Sequence, residues 1–223
     1  MSVKLVWVTP DAENLISDMA RVSNPSNQGN YDTSDRLIRY LIKHRHWSPF
    51  EMASMCLEIN TNRGIAAQIL RHRSFSFQEF SQRYADVGAL TDIEVPELRR
   101  QDTKNRQNST DDLPFEVKAE LYDEASLLIE QSKKLYNKML DKGVAKESAR
   151  FFLPIATPSR LYMTGTVRSW LHYIDLRSAN GTQKEHMDIA IGCKDILEEH
   201  LPNVCRAMWG KPPIQLQQEL QQA

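Results

Sequence analysis

The 223-residue chain is 41% hydrophobic and 26% charged, enough to bury a substantial core within one domain, and it is not the composition of a disordered protein. Its 28 Lys and Arg against 29 Asp and Glu leave a formal net charge of -1, which argues against a protein-wide electrostatic footprint for DNA or RNA. Cys56, Cys193 and Cys205 lack CxxC spacing, no signal-like stretch opens the chain and no run of 18 apolar residues occurs, so a cytoplasmic, membrane-free protein with reduced thiols is expected.

In chain order, Val3 to Val8 reads as a buried or half-buried strand ended by Thr9-Pro10. Asp11 is placed to cap a helix carrying Leu15, Ile16, Met19 and Val22, and Thr33 or Ser34 opens a second with Leu37, Ile38, Leu41 and Ile42 on one stripe. The polar-aromatic connection H-R-H-W-S-P-F-E, His44 to Glu51, precedes an alternating strand through Met55, Leu57 and Ile59. Asn60 to Asn62 then turn the chain and cap a helix around Ile65, Ala66, Ile69 and Leu70, expected to end near Arg73.

Residues 86–112 form a polar, lid-like insertion within a single domain spanning 1–223. A long helix is predicted from near Pro114 to Leu140, stopped by Gly143, with a short helical turn over Glu147 to Phe151. Thr157-Pro158 reads as the start of a helix to about Leu176, locally weakened by Gly165; helices over Thr182 to Glu199 and Pro202 to Trp209 and a helical or frayed Gln-rich tail follow. The fold class is therefore α+β: a mixed α/β core with a small antiparallel or mixed sheet and a helix-rich C-terminal half.

Residues able to do chemistry concentrate in R-H-R-S-F-S-F-Q-E-F-S-Q-R-Y, Arg71 to Tyr84. A helix ending near Arg73 puts Gln68, Arg71 and His72 on one flank, where basic groups could simply cap helix carbonyls. In an extended stretch Glu79, Ser81 and Arg83 share a face. Guanidiniums beside hydroxyls suit a phosphate, so a phosphorylated or multiply acidic small ligand competes with surface ion pairing as the explanation. No GxGxxG, Walker loop, HExxH or metal-ligand spacing is present, and a Ser-His-acid triad using His46, His72 or His172 has little specificity. Glu147 and Arg150 could form an intrahelical pair. Arg168 and His172 lie on one helical face, whereas Arg177, nine residues beyond Arg168, should point elsewhere or reach back from the helix end. Trp170 and Tyr173 read as core or interface aromatics, and Trp47 needs either packing or a ligand.

The segment resembles the signature of the flavin-dependent thymidylate synthases, with Arg71, His72, Arg73, Ser76, Glu79, Ser81 and Arg83 at its fixed positions. The similarity extends through His46 to Glu51, Glu147 to Arg150, Leu153-Pro154, Arg168-Ser169 and Leu176-Arg177. His172 and Thr166 stand where this family commonly carries asparagine, Met52 where histidine is frequent, and residues 180–185 depart from its usual A-Q-x-E. The resemblance implies a homotetramer with active sites at subunit interfaces, FAD as cofactor, and dUMP, methylenetetrahydrofolate and NADPH as reactants, with neither metal nor nucleic acid. It implies a cytoplasmic location, or the host cytoplasm for a viral chain. Carried over, dUMP is held by Gln68, Arg71, Glu79, Ser81, Arg83, Arg150 and Arg177. FAD is held by His46, Ser48, Glu51, Arg71, His72, Arg73, Arg168 and His172. Arg177 and Ser81 act in catalysis by positioning substrate; no histidine base lies in Ser81's motif, so it is not expected to be a nucleophile. An RNA- or phosphometabolite-binding module using Arg71, Arg73, Arg83 and the Lys104 to Arg106 region, or a structural oligomer, are the rival classes.

Overall fold

A computed structural model describes residues 1–86, 88 and 90–210; the Gln-rich tail lies outside the described residues. A four-stranded sheet in the order β1-β2-β6-β3 organises the chain, formed by β1 (Ser2–Val8), β2 (Ser54–Asn62), β3 (Ser76–Glu79) and β6 (Pro158–Thr166), with every pairing antiparallel. Around it lie α1 (Ala12–Ala20), α2 (Ser34–Lys43), α3 (Arg63–Ile69), α6 (Val167–Arg177), α7 (Lys184–His200) and α8 (Pro202–Trp209). The core between sheet and helices is filled by alternate strand residues such as Met55, Leu57, Leu161 and Met163, and by Ile16, Ile38, Ile69 and Trp170 from the helices. Full burial of each such side chain contributes roughly 1.5–3 kcal/mol. The Trp170 indole N–H, which burial would otherwise strand, donates to the Met55 carbonyl (3.0 Å).

The region after Thr157 corrects the predicted long helix. Thr157-Pro158 is followed by nine residues of strand β6, and only then by α6. Proline is tolerated at the first residue of a strand as well as of a helix. The deciding signal is period two: Ser159, Leu161 and Met163 are buried while Arg160 and Tyr162 are exposed. The true helix cap is Thr166, whose hydroxyl accepts the Ser169 N–H (3.3 Å).

Caps at other helices divide. Asn62 caps α3 through the Ile65 N–H (2.9 Å), as expected. Asp11 does not cap α1: its backbone is left-handed and its carboxylate accepts from the Asn14 amide instead. Thr33 precedes α2, but its hydroxyl accepts from buried Arg21 (2.9 Å) instead of from the helix.

The insertion carries a small hairpin, β4 (Arg100–Gln101) with β5 (Ser109–Thr110), and leads into the 27-residue α4 (Phe115–Asp141). Gly143, at φ +79, ends α4 in the left-handed conformation that lets the Val144 N–H reach back to the Met139 carbonyl (2.9 Å). Short α5 (Lys146–Ala149) continues into a 3-10 turn, Arg150–Phe152. Tyr136 is the one fully buried residue of α4. The apolar stripe of α4 is open to solvent, with Leu128 67% exposed; Phe151 at 77% and Ile155 at 73% are exposed as well. No helix among the described residues is long and apolar enough to cross a membrane.

Candidate active site

The Arg71 to Tyr84 segment is fixed by what His72, Phe75 and Glu79 touch. Helix α3 ends at Ile69, earlier than the expected Arg73, so Arg71 and His72 lie in the turn beyond it and do not share a helical flank with Gln68. From that turn the His72 ring reaches α6, where its Nε2 accepts from Arg177 Nε (2.9 Å). An accepting Nε2 requires the neutral tautomer with its proton on Nδ1. Burial and then the adjacent Arg177 charge both hold His72 neutral, lowering its pKa to about 4. Three residues further on, Phe75 stacks edge-on against Trp170 (4.8 Å) and Tyr173 (5.8 Å). Its ring lies over Gly165 so closely that a Cβ there would sit 2.5 Å from a ring carbon.

Strand β3 stops at Glu79, so the extended alternation proposed for Glu79, Ser81 and Arg83 does not persist. The chain turns, with the Tyr84 and Ala85 N–H groups donating to the Ser81 carbonyl (3.1 and 3.0 Å). Glu79 Oε1 accepts from Arg63 Nη1 (2.7 Å) and Ser159 Oγ (2.8 Å). Arg83 instead pairs with Glu147 (3.2 Å), both well exposed. Glu147 therefore does not form the intrahelical pair with Arg150, whose guanidinium lies over the Phe151 ring (5.6 Å). The Ser81 hydroxyl has no hydrogen-bond partner among the described residues.

A second group forms where the His44 to Glu51 connection meets α6. Arg168 Nη1 donates to Glu51 Oε1 (2.6 Å), and the exposed His172 ring packs edge-on against Trp47 (4.9 Å), which also contacts Phe50. Trp47 thus has packing partners. His46 and Ser48 are exposed in the same connection, His46 near the Tyr40 ring (5.9 Å). Arg168 and Arg177 take different partners: one serves Glu51, the other His72. Arg71 and Arg73 are exposed and have no side-chain partner among the described residues.

The expected residues therefore occupy four neighbourhoods in one protomer: the 46–51 connection with Arg168 and His172, Gln68 and His72 with Arg177, Glu79 at the sheet edge, and Arg83 with Glu147 near Arg150. Four contributors were not foreseen. Arg63 and Ser159 hold Glu79, and His186 and Gln183 hold the Gln68 side chain (3.2 and 2.7 Å). Arg63 follows a capping asparagine and could have been read as a first-turn cation. His186 sits on the buried face of α7, a position where histidine is informative only once its burial is known. A cleft of about 750 Å³ runs between the insertion and the sheet, lined among others by Asn60, Asn62, Ser159, Arg160 and Glu185. Across it Arg99 of the insertion pairs with Glu185 (2.6 Å), tying that loop to the first turn of α7. No group of three or more His, Cys, Asp or Glu is placed to hold a metal among the described residues.

The chain belongs to the thymidylate synthase complementing protein family, whose model matches residues 4–203. It is 52% identical over 218 residues, 93% of this chain and 99% of the relative, to a probable flavin-dependent thymidylate synthase of Paramecium bursaria Chlorella virus 1. It is 49% identical over 197 residues to a flavin-dependent thymidylate synthase of Synechocystis sp., covering 88% of this chain and 89% of the relative. In structure it resembles a UMP/dUMP methylase PolB from Streptomyces cacaoi crystallised with 5-Br dUMP, with TM-score 0.82 and 28% identity over 92% of this chain and 93% of that one.

Proposed function

We propose that the protein is a flavin-dependent thymidylate synthase, converting dUMP to dTMP with methylenetetrahydrofolate as carbon donor and NADPH as reductant, and that residues 1–223 act as one domain. The observation that carries this reading is an asymmetry within the motif. His72, Phe75 and Glu79 are locked to other elements, while Arg71 and Arg73 in the same turn stay exposed with no acid of their own. A rigid turn presenting unpaired guanidiniums suits an anionic ligand. The names of the relatives supply the ligands: a flavin and a pyrimidine nucleotide.

The donors present fit FAD. Arg71 and Arg73 can take its diphosphate with the exposed Ser48 hydroxyl, and the exposed Arg168–Glu51 pair is weak enough to be exchanged for a ligand phosphate. His46, His72 and His172 offer ring edges and hydrogen bonds to a planar heterocycle. Bound there, the flavin supplies the hydride chemistry. Gln68, Arg71, Glu79, Ser81, Arg83, Arg150 and Arg177 are assigned to dUMP. Arg177, oriented by neutral His72, is the guanidinium placed to offset negative charge developing on the pyrimidine carbonyls, the kind of electrostatic contribution that dominates many active sites. Ser81 donates a positioning hydroxyl. Within one protomer Arg83 and Arg150 contact Glu147 and the Phe151 ring, whereas Arg177 contacts His72. The exposed stripe of α4 with Phe151 supports assembly into a homotetramer whose sites draw residues from more than one subunit.

The test is spectroscopic. Purified protein takes up FAD, shows a flavin absorbance spectrum, and NADPH bleaches it. A colourless protein that neither takes up FAD nor binds dUMP defeats the reading.

A further inference from the structure

Beside the Arg177–His72 contact runs a second, deeper row of hydrogen bonds. His186, in the first turn of α7, is fully buried and uses both ring nitrogens: Nε2 lies 3.1 Å from the Tyr173 hydroxyl and Nδ1 lies 3.2 Å from Gln68 Oε1. Gln68 Nε2 in turn donates to Gln183 Oε1 (2.7 Å), the residue just ahead of α7. One amide on α3 is thus gripped at its oxygen and its nitrogen by two side chains of the same turn. That turn is itself pinned by the Arg99–Glu185 pair.

The direction of the row follows from donor and acceptor counting. Burial, helped by the charge of Arg177, keeps His186 neutral, with a pKa of about 4, so its ring has one N–H and one lone pair. Burial likewise raises the Tyr173 pKa, so the phenol keeps its proton. That buried O–H has no other acceptor among the described residues, and an unpaired buried donor is costly. Tyr173 therefore donates to Nε2, the His186 proton sits on Nδ1, and Gln68 turns its oxygen inward. The reverse direction would leave the Tyr173 proton without an acceptor. With Oε1 directed to His186 and one amide hydrogen to Gln183, one N–H hydrogen of Gln68 is left to donate.

We infer that His186, with Tyr173 behind it, is a positioning residue that fixes the Gln68 amide with its nitrogen toward the substrate, so that Gln68 meets an acceptor oxygen of the nucleotide. The inference rests on Gln68 being part of the dUMP site. It gives a role to a buried histidine whose two ring nitrogens are taken by Tyr173 and Gln68, and it makes Gln68 selective for oxygen acceptors, a phosphate or a carbonyl, over an amino group.

Two amide substitutions separate positioning from plain packing. An asparagine at 186 places its NH2 where Nδ1 was and keeps the bond to Gln68. A glutamine places its amide at the Nε2 side and keeps only the Tyr173 contact. On the flavin-loaded full chain, dUMP affinity is measured by calorimetry and steady-state rates against dUMP. H186N is expected to stay within about twofold of wild type, while H186Q raises Kd and KM for dUMP about tenfold, the scale of one lost positioned hydrogen bond. Flavin content stays the same and kcat at saturating dUMP changes less than about twofold, since uniform binding is lost. Equal dUMP affinities for the two variants, or a fall in kcat with KM unchanged, overturn the inference alone. Failure of the wild-type chain to bind dUMP overturns the functional reading and this inference with it.

Discussion

Gly165 is the position where the smallest change reaches furthest into the site. A Cβ added there lies 2.5, 2.8 and 3.3 Å from three Phe75 ring carbons, so the ring has to retreat by about 1 Å to regain ordinary contact. It has little room. Trp170 closes one side at 4.8 Å and Tyr173 another at 5.8 Å, and both are buried. Overpacking of this kind costs about 1–3 kcal/mol. For a chain of this size that corresponds to a fall in Tm of roughly 2–12 °C. The displaced ring carries the turn between Arg73 and Ser76 with it, so G165A loses dUMP affinity beyond its loss of stability. Calorimetric unfolding and dUMP titration of G165A, F75L and the double variant check this: F75L replaces the ring by a smaller aliphatic group and is expected to restore part of the stability in the double variant, giving a coupling of about 0.5–3 kcal/mol. Unchanged Tm in G165A, or strictly additive effects in the double variant, refutes the argument.

Acid should weaken the fold from an unusually high pH. His72 and His186 both have folded pKa values near 4 against 6.5 unfolded, so the unfolded chain binds protons first. Their contribution is complete above pH 6.5 and is lost as pH falls from 6.5 toward 4, amounting to about 2 kcal/mol for buried His186 after screening is allowed for. Urea midpoints at pH 7, 5.5 and 4.5 measure it, and a flat profile between 7 and 5 contradicts it. R83A removes only an exposed ion pair with Glu147, so Tm should move little, while dUMP affinity falls about 10–100-fold through loss of a charge-assisted contact; unaltered affinity removes Arg83 from the site. Placing a charge on the open stripe of α4 with L128E should leave each protomer folded, because the side chain is exposed, yet reduce the mass seen by sedimentation below that of the wild-type assembly. Identical masses argue that α4 is not a subunit contact.

Most of the framework was legible because hydrophobic period and caps spoke together. Strand β2, the Asn62 cap and the α8 boundaries at Pro202 and Trp209 are of this kind. Strand β6 was obscured because Thr157-Pro158 fits the start of a helix as well as of a strand, and because Gly165 looked like a weak point in a helix instead of a close approach to Phe75. The motif located the site, yet composition could not say which of its members bind outward. Phe75 and Glu79 turn inward, Arg71 and Arg73 do not, and that sorting depends on contacts with Arg63 16 positions away and with Ser159, Trp170 and Tyr173 80 to 98 positions away. Arg63, Ser159 and His186 stayed hidden for the same reason: each matters only through a partner that the sheet and α7 bring to it. The charge pairing of Glu147 with Arg83, in preference to nearby Arg150, is likewise a tertiary outcome.

The central claim is that this chain makes dTMP from dUMP by a route that needs a flavin. The most direct measurement is chromatographic quantification of dTMP formed by purified protein from dUMP, methylenetetrahydrofolate and NADPH, with and without added FAD after the flavin has been stripped. The account predicts dTMP only when FAD is restored, with tetrahydrofolate as the folate product. Formation of dTMP at the same rate in the flavin-free sample, or none with FAD fully bound, would contradict it.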